Sequence, residues 1–172
     1  MKAVKPFFLM ILAAFAGCIL AQPVRADEAS CKPVTNAAER LARTPYHEVS
    51  ATDGKPFEKI YTTTTLSIRI SNGEWMTMPM TPQELLESLH KAGSYSNCKA
   101  LRTEIVDGQR ATVYIAHRTS PGTSAFSQAD QIWIAASGLT LKAISEVQVQ
   151  GRKIHAETHV TYANVQAPTG AQ

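Results

Sequence analysis

The residues best placed to do chemistry lie in the segment His155-Ala156-Glu157-Thr158-His159. In a strand the two histidines and the carboxylate project from one side in steps of about 6.6–7 Å, so they could converge on a metal ion. Ile154, Ala156 and Val160 occupy the other side, which makes the three polar residues the solvated face of an amphipathic strand. Ligands strung along one strand also need a further element to close a coordination sphere, and no metal is expected. His47, His90 and His117 stand without an adjacent nucleophile and read as surface or half-buried histidines. Met76, Met78 and Met80 alternate; their thioethers could hold a soft ion such as Cu(I) or form a pliable apolar surface, and the second is the commoner use of methionine in a sheet. Trp75 and Trp133 anchor either a core or a cavity wall. A G-x-S-x-G elbow, an HExxH run, a P-loop and a dinucleotide fingerprint are all absent. The chain is expected to be no enzyme and to carry no cofactor.

The 172 residues are 44% hydrophobic and 18% charged, a globular composition. Residues 1–26 join Lys2 and Lys5 to an apolar run from Phe7 to Leu20 and end in Val24-Arg25-Ala26 before Asp27, the layout of an export signal cleaved after Ala26. The run falls short of the roughly 20 residues that span a bilayer as a helix. Phe15-Ala16-Gly17-Cys18 offers a second reading, a lipoprotein box that would leave an acylated Cys18 as the new N-terminus. Either way the periplasm is the expected compartment. The formal net charge of +3 includes Lys2, Lys5 and Arg25; without them 14 basic residues meet 14 acidic ones. A neutral domain has no excess positive charge for polyphosphate, so nucleic acid is not an expected partner. Cys31 and Cys98 are then a lone pair in an oxidising compartment and are expected to form a structural disulfide.

The elements that must position these groups begin with a single domain over residues 27–168, followed by a frayed tail at 169–172. Asn36 and Glu39 have capping-box spacing ahead of a short helix whose stripe is Ala37, Ala38, Leu41 and Ala42, ended by Pro45. A second helix is signalled by Thr81 as N-cap, Pro82 at the first position, Glu84 at the third, and Leu85, Leu86, Leu89 and Ala92 on one face before Gly93. The rest alternates with period two. A turn at Asn72-Gly73 would pair Ile70 with Trp75, placing Leu66, Ile68, Ile70 and Trp75 on one face and the methionine row on the other. At Val106-Asp107-Gly108 a three-residue loop, pairing Ile105 with Gln109, keeps Leu101, Thr103, Ala111, Val113 and Ile115 together. Strands are expected at 131–136, 139–149 and 153–165, with a polar loop over 119–130. Strands this close in sequence can only be antiparallel. The fold class is α+β, mainly β: an antiparallel sheet with two helices.

Ile132-Trp133-Ile134, then Gly138-Leu139-Thr140-Leu141-Lys142, then Tyr162-Ala163-Asn164-Val165 as the ending, resemble the LolA/LolB-like outer-membrane lipoprotein carrier superfamily. There a W-I or W-V strand is followed by G-L-P-L-K or G-L-P-L-R; here Thr140 replaces the proline. The resemblance implies a half-open β-barrel, a bent antiparallel sheet whose concave face is covered by helices over an apolar cavity for acyl chains. It implies a monomeric, periplasmic, non-enzymatic protein that binds a lipid or lipoprotein acyl chain. The lining would come from Ile68, Ile70, Trp75, Met76, Met78, Leu85, Leu86, Leu89 and Trp133. The alternative is a cell-envelope sensor or protein-interaction module on the same scaffold, partnered by another envelope protein through the polar segment Thr119 to Asp130.

Overall fold

The computed structural model describes residues 24–120 and 126–169, with side chains from residue 29 onward. Residues 1–23 of the export-signal reading, the Cys18 reading and the last three residues of the tail lie outside the described residues, while Val24-Arg25-Ala26 stands at the start of a helix. A helix α1 (Val24–Arg43) leads into a meander of β1 (Tyr46–Thr52), β2 (Lys55–Tyr61), β3 (Thr65–Ile70) and β4 (Met76–Pro79). Helix α2 (Pro82–Lys91) connects this to a second meander of β5 (Ser94–Val106), β6 (Gln109–Ser120), β7 (Phe126–Ala135), β8 (Thr140–Val149) and β9 (Arg152–Thr161). The nine strands form one antiparallel sheet in the order β4-β3-β2-β1-β9-β8-β7-β6-β5, so the two meanders are joined side by side along β1 and β9. Its two ends, β4 and β5, are not paired with each other, and the sheet is open, with both helices on one face.

Backbone conformation at the turns sets the register. Asp53-Gly54, Asp107-Gly108 and Gln150-Gly151 all have positive φ at both residues, the two-residue turn whose twist matches antiparallel strands. At residues 107–108 this overturns the three-residue loop: Val106 opposes Gln109 and Arg102 opposes Val113. Irregularities between Ala100 and Arg102 and between Ser96 and Lys99 absorb the mismatch further along, leaving Leu101 and Ile105 exposed. In the first meander the left-handed pair is Ser71-Asn72, not Asn72-Gly73, with Gly73 N–H donating to Ile70 O at 2.9 Å. The consequence is a one-residue shift: Ile68 opposes Met76 and Leu66 opposes Met78. Met76 and Met78 therefore share a face with Leu66, Ile68 and Ile70, and the two-sided apolarity expected for this hairpin is not found.

Two further expectations are corrected. Asn36 does not start a helix, because α1 runs continuously from Val24 with Pro33 inside it. The buried stripe Cys31, Val34, Ala37 and Ala42 continues past Pro33, and this packing holds the N-terminal turns in place against the missing proline N–H. Of the polar segment 119–130, residues 119–120 and 126–130 are paired strand and residues 121–125 lie outside the described residues: Thr119 pairs with Ser127, and Ala116 with Asp130, so β7 begins at Phe126 rather than at residue 131. The last strand likewise ends at Thr161 and not at residue 165.

Helix α2 forms as its sequence directs. Glu84 N–H donates to Thr81 Oγ1 at 3.2 Å and Thr81 N–H to Glu84 Oε2 at 2.8 Å, satisfying two otherwise orphaned donors. Gly93 follows with φ +112°, and a Cβ there would lie 2.3 Å from the carbonyl oxygen of Thr119, so the chain leaves the helix by passing directly against β6. A Cys31–Cys98 disulfide, with the Cα atoms 4.9 Å apart, ties α1 to the edge strand β5. It lies within a buried cluster of Val34 and Ala37 against Ala116, Ile132 and Ile134. A second cluster packs the end of α1 (Ala42) and Leu85 of α2 onto Tyr46, Tyr61, Leu66 and Val160, and Tyr61 Oη donates to Ala42 O at 3.1 Å.

Candidate functional site

Pairing partners place side chains on the helix side of the sheet in cross-strand rows. The row Tyr46, Tyr61, Leu66, Met78 runs under α2. The next, Val160, Glu48, Lys59, Ile68, Met76, carries an ion pair in which Lys59 Nζ donates to both Glu48 oxygens at 3.0 and 2.9 Å. Then come Ala143, Thr158, Ser50, Phe57 and Ile70, followed by Asp130, Ser145, Ala156 and Thr52. The middle of this face is thus built from alanine, serine and threonine, side chains that rise little above the backbone. Larger apolar residues flank it: Phe57 and Ile70 on one side, and Val147, Val149 and Ile154 on the other, all half-buried except the exposed Ile70.

Helix α2 packs over the Tyr46, Tyr61, Leu66 end of this face, with the Glu48 and Lys59 row between it and the small-residue floor. Leu85 is buried in the cluster beneath it, whereas Leu86, Leu89, Ile68 and Met80 pack around that cluster and remain half-buried. Ile70, Met76 and Met78 continue the same face outward, more than one-third exposed. The structure therefore brings together Ile68, Ile70, Met76, Met78, Leu85, Leu86 and Leu89. It separates the two tryptophans from them. Trp75 lies against the guanidinium of Arg69, 4.6 Å from its ring centroid, and Arg69 points to the outer face with Glu58. Trp133 is buried in a third cluster with Ala111, Val113, Ala135 and Leu141, its Nε1 donating to Glu104 Oε2 at 2.6 Å and Lys142 Nζ over its ring.

The outer face is a lattice of ion pairs. Arg69 and His47 both hydrogen-bond Glu58; burial disfavours that carboxylate, but the two partners outweigh it and hold the carboxyl below its ordinary pKa. Lys142 and His159 bond Glu157, while His155 (2.6 Å) and Lys153 (2.9 Å) bond Glu146, each pair of hydrogen bonds lowering the carboxyl pKa. His155, Glu157 and His159 do share the outer face, but the two histidines turn to different carboxylates. Among the described residues no group of three His, Cys, Asp or Glu is placed to hold a metal ion. A groove of about 160 Å³ at the end of β2 and β3 is lined by Val49, Pro56, Phe57, Glu58, Arg69 and Asn72. That volume is below the roughly 300–1,000 Å³ of ordinary small-molecule sites.

A polar cluster on the helix side went unread in the sequence. Asp130, 5% exposed, accepts from Gln128 Nε2 at 2.6 Å and from Ser145 Oγ at 2.5 Å through Oδ1, while its Oδ2 is buried without a partner among the described residues. Arg118 Nη2 donates to Gln128 Oε1 at 3.1 Å, and its guanidinium lies 5.5 and 5.8 Å from the rings of Tyr95 and Phe126. The signal was present: Phe126, Gln128, Asp130 and Ile132 alternate, and extending the strand backward from Ile132 puts all four on one face.

No family model matches the sequence, and no curated protein sequence does. Among solved structures, LprF from Mycobacterium bovis is similar at 10% identity with a TM-score of 0.47, over 84% of this chain and 98% of its own. The Mycobacterium tuberculosis lipoprotein LppX is 15% identical with a TM-score of 0.45, over 83% of this chain and 100% of its own. An outer membrane lipoprotein-sorting protein domain from Vibrio parahaemolyticus is 11% identical with a TM-score of 0.24, over 83% of this chain and 95% of its own. These are similarities of fold at low identity, and none bears on what this chain binds.

Proposed function

We propose that this chain is a periplasmic, monomeric, non-enzymatic protein that binds a lipid or acyl chain on the helix side of its sheet. The observation that carries the reading is the shape of that face. A floor of Ala143, Thr158, Ser50, Ala156 and Ser145 lies between the half-buried apolar walls of Phe57 and of Val147 and Ile154. Small side chains on the floor leave room that larger ones would fill, and half-buried apolar walls lose water when an alkyl chain lies between them, at roughly 0.8 kcal/mol per buried methylene. Helix α2 adds half-buried Leu86 and Leu89 to the same face of the sheet, around the cluster of Tyr46, Tyr61 and Leu66. For the alternative, a protein-interaction module acting through the polar segment 119–130, residues 119–120 and 126–130 are paired strand rather than loop.

Native mass spectrometry and lipid extraction of protein purified from an envelope fraction test the proposal. Co-purifying lipid, displaced by added fatty acid, is the expected result. Protein that emerges without lipid and gains no thermal stability from fatty acid or phospholipid would overturn it.

A further inference from the structure

Among the described basic side chains only four are not exposed: Lys59, Arg69, Lys142 and Arg118. The first three each have a carboxylate within ion-pair distance, Glu48, Glu58 and Glu157. Arg118 has none among the described residues. Its neighbour Asp130 spends Oδ1 on Gln128 and Ser145, and both Asp130 Oδ2 and Arg118 Nε are buried without a partner among the described residues. A half-buried guanidinium without an anion is unfavourable unless something supplies the charge. The side chain is nevertheless held in one place, flanked by the Tyr95 and Phe126 rings and fixed through Nη2 to Gln128. Of the five donors of a guanidinium, Gln128 takes one, the Tyr95 hydroxyl takes another and Nε is sealed, which leaves two N–H groups on the terminal nitrogens for a carboxylate or a phosphate.

The surroundings state what else such a ligand must carry. Arg118 belongs to the cross-strand row Tyr95, Arg118, Gln128, Val147, Ile154, with Phe126 and Val149 in the row beside it. Three strand spacings, about 14 Å, separate Arg118 from Ile154. Along that path the surface changes from cationic to polar to apolar and opens onto the small-residue floor. We infer that Arg118 is the headgroup anchor for an anionic amphiphile, a molecule with a carboxylate or phosphate at one end and an alkyl chain lying across Val147 and Ile154. This rests on the lipid-binding reading and narrows its ligand class.

The test is a chain-matched set of probes: dodecanoate, dodecyl phosphate, dodecanol and inorganic phosphate, titrated by calorimetry into the wild type, Arg118→Gln and Arg118→Lys. The wild type should bind both anionic amphiphiles roughly 10- to 100-fold more tightly than dodecanol, the range for a hydrogen-bonded charge. Arg118→Gln should remove that preference, and Arg118→Lys, which lacks the planar fork, should narrow it. If Arg118→Gln does not fold, the wild-type ratio and the lysine variant carry the test. Equal wild-type affinity for the three amphiphiles overturns the anchor while leaving the lipid-binding reading in place. No binding of any amphiphile removes that reading and the anchor with it. Inorganic phosphate bound as tightly as dodecyl phosphate would make this a free-anion site and overturn the amphiphile, and a preference that survives Arg118→Gln would overturn the residue assignment.

Discussion

Replacing Cys31 and Cys98 together by alanine should cost about 4 kcal/mol of stability at 25 °C. The figure follows from the 67-residue separation between the two cysteines, since a cross-link of that span removes loop-closure entropy from the unfolded chain of this order. Alanine is preferred to serine because both sites are buried, at 2% and 7% exposure, and a hydroxyl there would add an unsatisfied donor worth about 1–3 kcal/mol. Wild-type protein reduced in urea and refolded with reductant supplies the complementary case, because it keeps both sulfur atoms and loses only the tether. Urea titrations of the oxidised, reduced and double-alanine forms should show the two untethered forms close together, with a midpoint well below that of the oxidised form. The slope should rise in both, because an untethered unfolded chain exposes more surface. In a thermal scan the loss corresponds to roughly 8–16 °C. A loss below about 1 kcal/mol with an unchanged slope would show that the bond does not restrain the unfolded chain, and that α1 stays on β5 by packing alone.

Leu85→Ala should cost about 2–5 kcal/mol with little effect on lipid affinity, whereas Leu86→Ala should cost less and weaken lipid binding; chemical melts paired with a fatty-acid titration separate the two, and a reversed pattern would place the ligand elsewhere. Gly93→Ala should destabilise by at least about 1 kcal/mol, because its Cβ would meet Thr119 O at 2.3 Å and its φ is +112°; an unchanged urea midpoint would refute the close passage. The carboxyls of Glu58, Glu104, Glu146 and Glu157 are all held below their ordinary pKa. Depressed carboxyl pKa values favour the fold above the unfolded value of about 4.3 and lose that contribution as pH falls through the folded values. Thermal midpoints should therefore be level from neutral pH to about 5 and fall below about 4.3, less steeply for Glu58→Gln; a midpoint that rises on acidification would contradict the outer-face lattice.

What could be read in the sequence was what local chemistry decides by itself. Thr81, Pro82 and Glu84 specify the start of α2 without reference to anything distant, and the structure shows both capping hydrogen bonds. Gln150-Gly151 likewise needs only its own two residues to make its turn. The misreadings share another cause. Asn72-Gly73 and Ser71-Asn72 are both acceptable turns, and the choice falls to Ser71 because its N–H reaches Pro56 O on β2, a contact that a two-strand reading does not contain. A one-residue slip reverses every face, so this distant contact decided which wall carries Met76 and Met78. The helix containing Pro33 runs against local propensity because Cys31 and Val34 are buried on either side of it. Arg118 and Asp130 were missed for a similar reason: a segment rich in serine, glycine and threonine reads as loop until its partners Ala116 and Ser145 are known.

The seam between the two meanders also governs the order in which the chain can complete itself during synthesis. Strand β1 ends at Thr52 and its partner β9 begins at Arg152, so the ribosome must add a further 100 residues before that edge of the first meander is covered. At 5–20 residues per second this interval is roughly 5–20 s. Throughout it the nascent chain presents an unpaired strand edge with Tyr46, Val49 and Ala51, a template for pairing with neighbouring chains. The last strand to be made is the one that joins the two meanders, and truncations before residue 152 should therefore aggregate rather than fold in part.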